Sequence, residues 1–264
     1  MTNRPVRIGV QLQPQHAEYA QIRDAVRRAE ELGVDVAFNW DHFYPLYGDQ
    51  DDKHFECWTM LGAWAEQTSR VEIGALVTCN SYRNPQLLAD MARTVDHISN
   101  GRLILGIGAG WFERDYTEYG FEFGTPGSRL AALGEALPAI KDRLAKLTPA
   151  PTRNIPVLIG GGGEKKTLRL VAQYADIWHS FATGDELTHK LEVLRGHCDR
   201  VGRDFTEIEI SAPVGRGHEH DPAAVAHRAQ DLADQGVSLL TVSIGGPDYD
   251  LGVLEAALAW RDGR

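Results

Sequence analysis

Eight short apolar runs rich in β-branched residues recur along the chain, at Val6–Leu12, Val36–Trp40, Val71–Cys79, Leu103–Ile107, Val157–Gly161, Ile177–Phe181, Ile208–Ala212 and Leu239–Ile244. Between them lie segments whose apolar residues repeat every three or four positions, the period of a helix face. Tyr19, Ile22, Val26, Ala29 and Leu32 share one such face; Leu88, Met91, Val95 and Ile98 share another; Leu187, Leu191, Leu194, Cys198 and Val201 form a third. Gly33, Gly101, Gly202 and Gly236 stand just past helical segments, where a helix commonly ends on a left-handed residue. Alternation of strand and helix requires parallel strands joined by crossover helices, and eight units in 264 residues is the size of a closed (β/α)8 TIM barrel. An open doubly wound sheet is the other architecture with this rhythm. No Pro/Ser-rich linker, internal repeat or low-complexity segment breaks the count, so a single α/β domain over residues 1–264 is expected.

A barrel of this kind carries its chemistry on the loops that follow the C-terminal ends of its strands. That rule gathers Gln11 and Gln13 from the first run, Asn39-Trp40-Asp41-His42 from the second, and Thr78, Asn80, Tyr82 and Arg83 from the third. The fourth run leads into Gly108-Ala109-Gly110-Trp111 and the sixth into His179-Ser180. The fifth leads into Gly160-Gly161-Gly162-Gly163-Glu164-Lys165-Lys166-Thr167, where a helix start next to bare backbone suits an anion. This stretch is not a P-loop, because Lys165 stands where the second glycine is required. It is not the dinucleotide fingerprint either, since Gly160-x-Gly162 is again followed by Lys165. Glu164 suits an anion site only if it points away.

Composition narrows the function classes. A net charge of -10 argues against a nucleic-acid surface, which needs a basic face. No apolar run is long enough for a membrane span and the N-terminal residues have no signal core, so a cytoplasmic protein is expected. Cys57, Cys79 and Cys198 are scattered and odd in number, which fits reduced packing residues. His218-Glu219-His220-Asp221 has metal-ligand residue types but no partner cluster, so a solvated loop is expected there and no metal site.

Several motifs together resemble the bacterial luciferase-like oxidoreductases, and within them the actinobacterial branch that uses the deazaflavin coenzyme F420. They are Asp41-His42-Phe43; Gly74-Ala75-Leu76-Val77-Thr78 followed by Tyr82-Arg83-Asn84-Pro85; Gly101-Arg102-Leu103 through Trp111-Phe112; and Ile159 to Thr167, in matching order from about Val6 to Phe181. The resemblance implies hydride transfer, with the cofactor ring in the barrel mouth. It implies that Asp41 and His42 lie against that ring and are the catalytic pair. It also implies a cis peptide at Ala75-Leu76 behind the ring, cofactor contacts from Thr78, Ala109 and Gly110, and a cofactor phosphate on Gly161, Gly162 and Gly163, with charge from Lys165 or Lys166. The sugar-phosphate dehydrogenases of this group carry a catalytic Glu where this chain has Trp111, and a Trp where it has Leu46, which argues against that reaction here. Longer relatives also insert a segment where this chain passes from Leu147 to Val157 within ten residues, so a more open pocket is expected.

Alternatives stay open at this level. His42 either transfers a proton or only orients the cofactor; Asp41 either fixes the His42 tautomer, binds cofactor or caps a turn. Arg83 reaches a cofactor anion or pairs with a carboxylate, and Trp40 and Trp111 are pocket walls or core. An FMN-dependent monooxygenase and a non-catalytic cofactor-binding barrel are the rival functions. The expected partner is a small-molecule substrate, with no nucleic acid and no membrane, and a homodimer is allowed.

Overall fold

The computed structural model describes residues 4–216 and 221–264. Strands β1 (Arg7–Leu12), β2 (Val36–Asn39), β3 (Glu72–Ala75), β4 (Thr78–Cys79), β5 (Leu103–Gly108), β6 (Val157–Gly160), β7 (Ile177–His179), β8 (Glu209–Arg216) and β9 (Leu239–Ile244) pair in parallel, each with its neighbours. β1 lies between β2 and β9, and the ring closes where Ile73 and Gly74 of β3 register with Leu103 and Ile104 of β5. That pairing decides for the closed barrel over the open sheet. β3 and β4 are one barrel strand interrupted at Leu76-Val77, so nine segments make eight staves.

The outer layer is α1 (Tyr19–Leu32), α2 (Cys57–Gln67), α3 (Pro85–Ile98), α4 (Glu113–Tyr119), α5 (Pro126–Leu144), α6 (Thr167–Tyr174), α7 (Gly184–Val201), α8 (Pro222–Asp234) and α9 (Gly252–Asp262). The expected helix faces are buried along most of their length, but Leu32, Ile98 and Val201 are exposed, because each lies at the helix end beyond the supporting layer. Gly33 and Gly202 cap α1 and α7 in the left-handed conformation, and Gly101 and Gly236 take positive φ two residues past the caps or just beyond them. Val36, Phe38, Ile104, Leu158, Ile177 and Leu239 fill the barrel interior. The N-terminal end is closed by ions: Arg7 lies between Glu72 and Glu209 at 2.5 Å from each, and Arg153 reaches Glu72 at 2.6 Å.

The interruption of the third stave shapes the strands beside it. The non-prolyl cis peptide is Leu76-Val77, one residue later than the family resemblance implies. Strand alternation turns Ala75 outward into the helix-facing core, so the bulge begins only after it. The Ala75 carbonyl then points at β5, where a Cβ on Gly106 would stand 1.9 Å from it. Val77 fills the space where Gly108 and Gly160 would carry Cβ atoms, at 2.7 and 3.1 Å. Gln11 Nε2 donates to the Leu76 carbonyl at 2.7 Å, and the Leu76 N–H donates to the Asn39 carbonyl at 2.8 Å.

Two glycine substitutions separate packing from backbone entropy. Gly106→Ala is expected to destabilise by at least about 3 kcal/mol or to prevent folding, since backbone must move. Gly62→Ala, inside α2 with nothing within 4 Å, is expected to stabilise by about 0.5–1 kcal/mol. Urea midpoints of the two variants check both; equal midpoints would refute the assigned close approach.

Candidate functional site

A cleft of about 620 Å³ opens at the C-terminal end of the barrel. Of the residues expected at the site, Asp41, His42, Leu76, Thr78, Ala109, Gly110 and Gly161 line it, whereas Ala75, Gly162 and Gly163 do not. Trp40 is a buried wall whose Nε1 donates to His54 Nε2 at 3.0 Å. Trp111 and Phe181 stand exposed at the rim, and Trp111 meets the His42 ring edge-on with centroids 5.8 Å apart.

Asp41 is buried, and its carboxylate makes no hydrogen bond to His42. Its carboxylate accepts from Arg83 at 2.5 and 3.0 Å and from the Cys79 N–H at 2.9 Å, so it ties the end of β2 to β4. Burial pushes this carboxyl upward against the pull of Arg83. Arg83 also reaches Glu56 at 2.6 Å, so its partners are carboxylates on the protein.

The residue that orients His42 is Asp115, in the first turn of α4, which the sequence reading did not single out. Its buried carboxylate takes His42 Nδ1 at 2.7 Å, the Tyr82 hydroxyl at 2.9 Å, and the N–H groups of Phe43 and Tyr44 at 3.1 and 3.2 Å. A carboxylate only accepts, so Nδ1 carries a hydrogen and Nε2 is left without a partner among the described residues. The loops after β2, β4 and β5 thus meet at one side chain. Beside it Phe43, Tyr82, Tyr116, Phe121 and Phe123 form a separate aromatic cluster, and the Asp115 side chain is fully buried. Phe43 stacks on Tyr119 at 4.0 Å.

The glycine turn after β6 is explained in part by the protein itself. Gly160 makes room for Val77, Gly161 has φ 120°, and a Cβ on Gly163 would press on Thr167 Oγ1 at 2.9 Å. The Gly161 N–H already donates to the His179 carbonyl at 3.2 Å. Lys190 lies over Gly162, donating to its carbonyl at 3.0 Å. Glu164 turns towards Lys190 and His189, at 3.6 and 3.4 Å. Lys165 and Lys166 do not line the cleft; among the described residues the one Lys or Arg that does is Arg129, from α5. Its place was legible, because it precedes Leu133, Ala136 and Ile140 on the buried face, an apolar position occupied by a cation.

Two neutral imidazoles lie at or behind the cleft wall, His179 lining it and His54 behind Trp40. His179 Nδ1 pairs with Ser211 Oγ at 2.9 Å, and burial lowers its pKa to about 4. Burial, and then the neighbouring His42, lower His54 to about 4 as well. Cys57, Cys79 and Cys198 are buried free thiols. Among the described residues no group of three or more His, Cys, Asp or Glu is placed to hold a metal ion, and no helix is long and apolar enough to cross a membrane. His218, Glu219 and His220 lie outside the described residues, while Asp221 caps α8 by accepting from Ala223 N at 3.0 Å.

Comparison with known proteins matches residues 2–239 to the luciferase-like monooxygenase family model. A curated relative, the F420-dependent glucose-6-phosphate dehydrogenase of Kribbella flavida, is 27% identical over 243 residues, covering 83% of this chain and 71% of the relative. A solved F420-dependent secondary alcohol dehydrogenase, in complex with an F420-acetone adduct, superposes with TM-score 0.87 at 17% identity, over 98% of this chain and 99% of that one. The FMN complex of the oxygenating constituent of 3,6-diketocamphane monooxygenase from Pseudomonas putida gives TM-score 0.75 at 13% identity, over 97% and 96%. The last two likenesses concern the fold.

The site makes stability depend on pH and on Asp115. Unfolded histidine titrates near 6.5 and these two rings near 4, so between those values only the unfolded chain takes up protons. Stability therefore rises with pH through this window and falls as pH drops, by up to about 3 kcal/mol per ring. The pH slope of urea midpoints is expected to shrink in His179→Asn; an unchanged slope would show that the ring is charged in the fold. Asp115→Asn turns an amide towards donors and is expected to cost about 2–4 kcal/mol in the same assay.

Proposed function

The chain belongs to the luciferase-like monooxygenase family, and we propose that it is an oxidoreductase dependent on coenzyme F420, moving a hydride between the deazaflavin ring and an organic substrate. The observation that carries this reading is His42: a cleft-lining imidazole with Nδ1 committed to buried Asp115 and Nε2 left over for a ligand. The F420-dependent relative and structural neighbour support the choice of cofactor. When bound, the deazaflavin supplies a ring carbon that gives or accepts a hydride.

The residues present suit such a group. Leu76 and Val77 make an apolar backing, and the cleft that Gly110 and Gly161 line beside them, about 620 Å³, has room for a flat ring. The chain's own chemical task is the proton. Reducing a carbonyl requires a proton on oxygen as the carbon receives hydride, and His42 in its imidazolium form would donate it from Nε2 and return to the Nδ1–H tautomer held by Asp115. In the reverse direction the same nitrogen takes the proton from the alcohol, and Asp115 balances the imidazolium charge. Beside His42 the wall is Trp40, Leu46, Tyr47 and Trp111, with no cation among them, which favours an uncharged substrate over a sugar phosphate.

A second reading keeps the cleft and uses FMN with oxygen, supported by the FMN-bound neighbour of the same fold. Absorbance titration with each cofactor separates the two: deazaflavin binding is expected, and tight FMN retention without it would overturn the proposal. With a substrate found by following deazaflavin absorbance across alcohols and ketones, His42→Ala is expected to lower kcat by roughly 10²–10⁴-fold. Unchanged turnover would reduce His42 to an orienting contact.

A further inference from the structure

His16 sits in the loop between β1 and α1 and reaches across to the loop that follows β2. Its ring meets an acceptor at each nitrogen: Nδ1 lies 2.8 Å from Asp52 Oδ2, and Nε2 lies 2.7 Å from the Tyr47 carbonyl oxygen. A carbonyl only accepts. The Asp52 carboxyl is held below its ordinary range, first by this imidazole, so it is ionised and only accepts as well. A neutral imidazole has one N–H for these two acceptors. Both contacts together therefore require the imidazolium, and the ring is charged in this arrangement.

The backbone and the neighbouring charges agree. His16 takes φ 57°, a left-handed conformation, and a Cβ on Gly48 would stand 3.1 Å from His16 Nε2, so the ring is built into its place. The charged and titratable groups around it are Asp49 and Asp52 on the same loop, Lys53 paired at 2.6 Å with Glu18 before α1, Asp51 paired with Arg114 of α4, and His54. His54 is neutral, because its Nε2 accepts from Trp40. Burial by itself lowers the His16 pKa, but Asp52, the Tyr47 carbonyl and Asp49 outweigh it and raise the value.

What the ring holds is the tip of the loop. The ends are fastened elsewhere: Asp115 takes the N–H groups of Phe43 and Tyr44, Leu46 N–H donates to Gln15 Oε1 at 2.8 Å, and Phe55 N–H donates to the Pro14 carbonyl at 3.0 Å. From Tyr47 to Asp52 the polar contacts with the rest of the protein, among the described residues, come from His16 and Arg114. Tyr47 lines the cleft; its ring meets Trp40 edge-on with centroids 6.3 Å apart, and Trp40 meets His42 in the same way at 6.1 Å. The held carbonyl thus belongs to the wall on the His42 side.

We infer that His16, as an imidazolium, is a positioning residue that latches the Tyr47 wall of the cleft and releases it on losing its proton. The neutral ring keeps one contact and turns a lone pair towards the other acceptor, so the tip loosens while Leu46 and Phe55 stay in place. Because the folded pKa is raised, the contact contributes fully below about 6.5, the unfolded value, and is lost as pH rises through the higher folded value. His54 and His179 act in the opposite sense, and at lower pH. The latch concerns the wall and not the cofactor, so it holds whether deazaflavin or FMN fills the cleft.

The test uses the full chain without ligand. Ring 15N shifts follow the protonation of His16, and amide exchange by NMR, expressed as protection relative to an unstructured chain, follows the tip. The N–H groups of Asp51 and Asp52, bonded to Asp49 at 3.0 and 3.3 Å, report on it; Leu46 and Phe55 are the references. Both His16 nitrogens are expected to carry hydrogen up to a midpoint above about 6.5. Across that midpoint, protection at positions 51 and 52 is expected to fall roughly 5- to 20-fold, with the references changing by less than about twofold. Asp52→Asn, at a partly exposed position, is expected to move the midpoint down and the step with it. His16→Asn, which tolerates the left-handed backbone, is expected to give low protection at every pH and no step. A ring that titrates at or below about 6.5 overturns the inference. So does a tip whose protection does not follow the His16 midpoint, in the unmodified chain or in Asp52→Asn.

Discussion

The interruption of the third barrel stave is the constraint to which the cleft is built. A regular strand would continue past Ala75 with its side chains alternating and its carbonyls paired. Here the chain bulges at Leu76-Val77, driving the Ala75 carbonyl towards β5 and the Val77 side chain across to β6. β5 has no room for a Cβ at Gly106 or Gly108, and one at Gly160 of β6 would press on Val77. The bulge in turn is held by Gln11 from β1 and by the Asn39 carbonyl from β2. Five staves thus accommodate one irregularity, and the apolar backing of the cleft is its outcome.

Two buried carboxylates then fix the loops around that backing, each by a different balance of charge. Asp41 is answered by a bidentate guanidinium, Arg83, and the pair fastens the end of β2 to β4. Asp115 is answered mainly by dipoles: two backbone N–H groups, a phenol and an imidazole. Such a carboxylate orients His42 without neutralising the cleft beside it. The opposite end of the barrel is closed by the Arg7, Glu72, Glu209 and Arg153 network, so ion pairs close one end and a lined cleft opens the other.

The glycine-rich turn shows a motif whose place is local but whose glycines also serve distant neighbours. Its position after a strand and before a helix is local and follows from the flanking runs. Its glycines, however, answer in part to Val77, Thr167 and a positive φ at Gly161, contacts that no short-range pattern reveals. Likewise the cis peptide expected at Ala75-Leu76 is found one residue on, because alternation places Ala75 outward before the bulge begins.

The barrel, its eight staves, most helix caps and the strand ends that face the mouth were legible in the amino-acid order, because periodicity and capping act within a few residues. Asp41, His42, Ala109, Gly110 and Gly161 followed from that placement. Which carboxylate orients His42 did not. Glu113 and Asp115 both suit the first turn of α4, and their charge alone cannot tell them apart. Asp115 is chosen because its turn packs on the loop after β2, 73 residues distant from His42 along the chain. Arg129 left a faint trace as a cation on an apolar face, but its place in the cleft wall is decided only once every neighbouring element is in place. Periodicity records which side of an element is buried; the partner a polar group meets there depends on contacts closed by the whole ring.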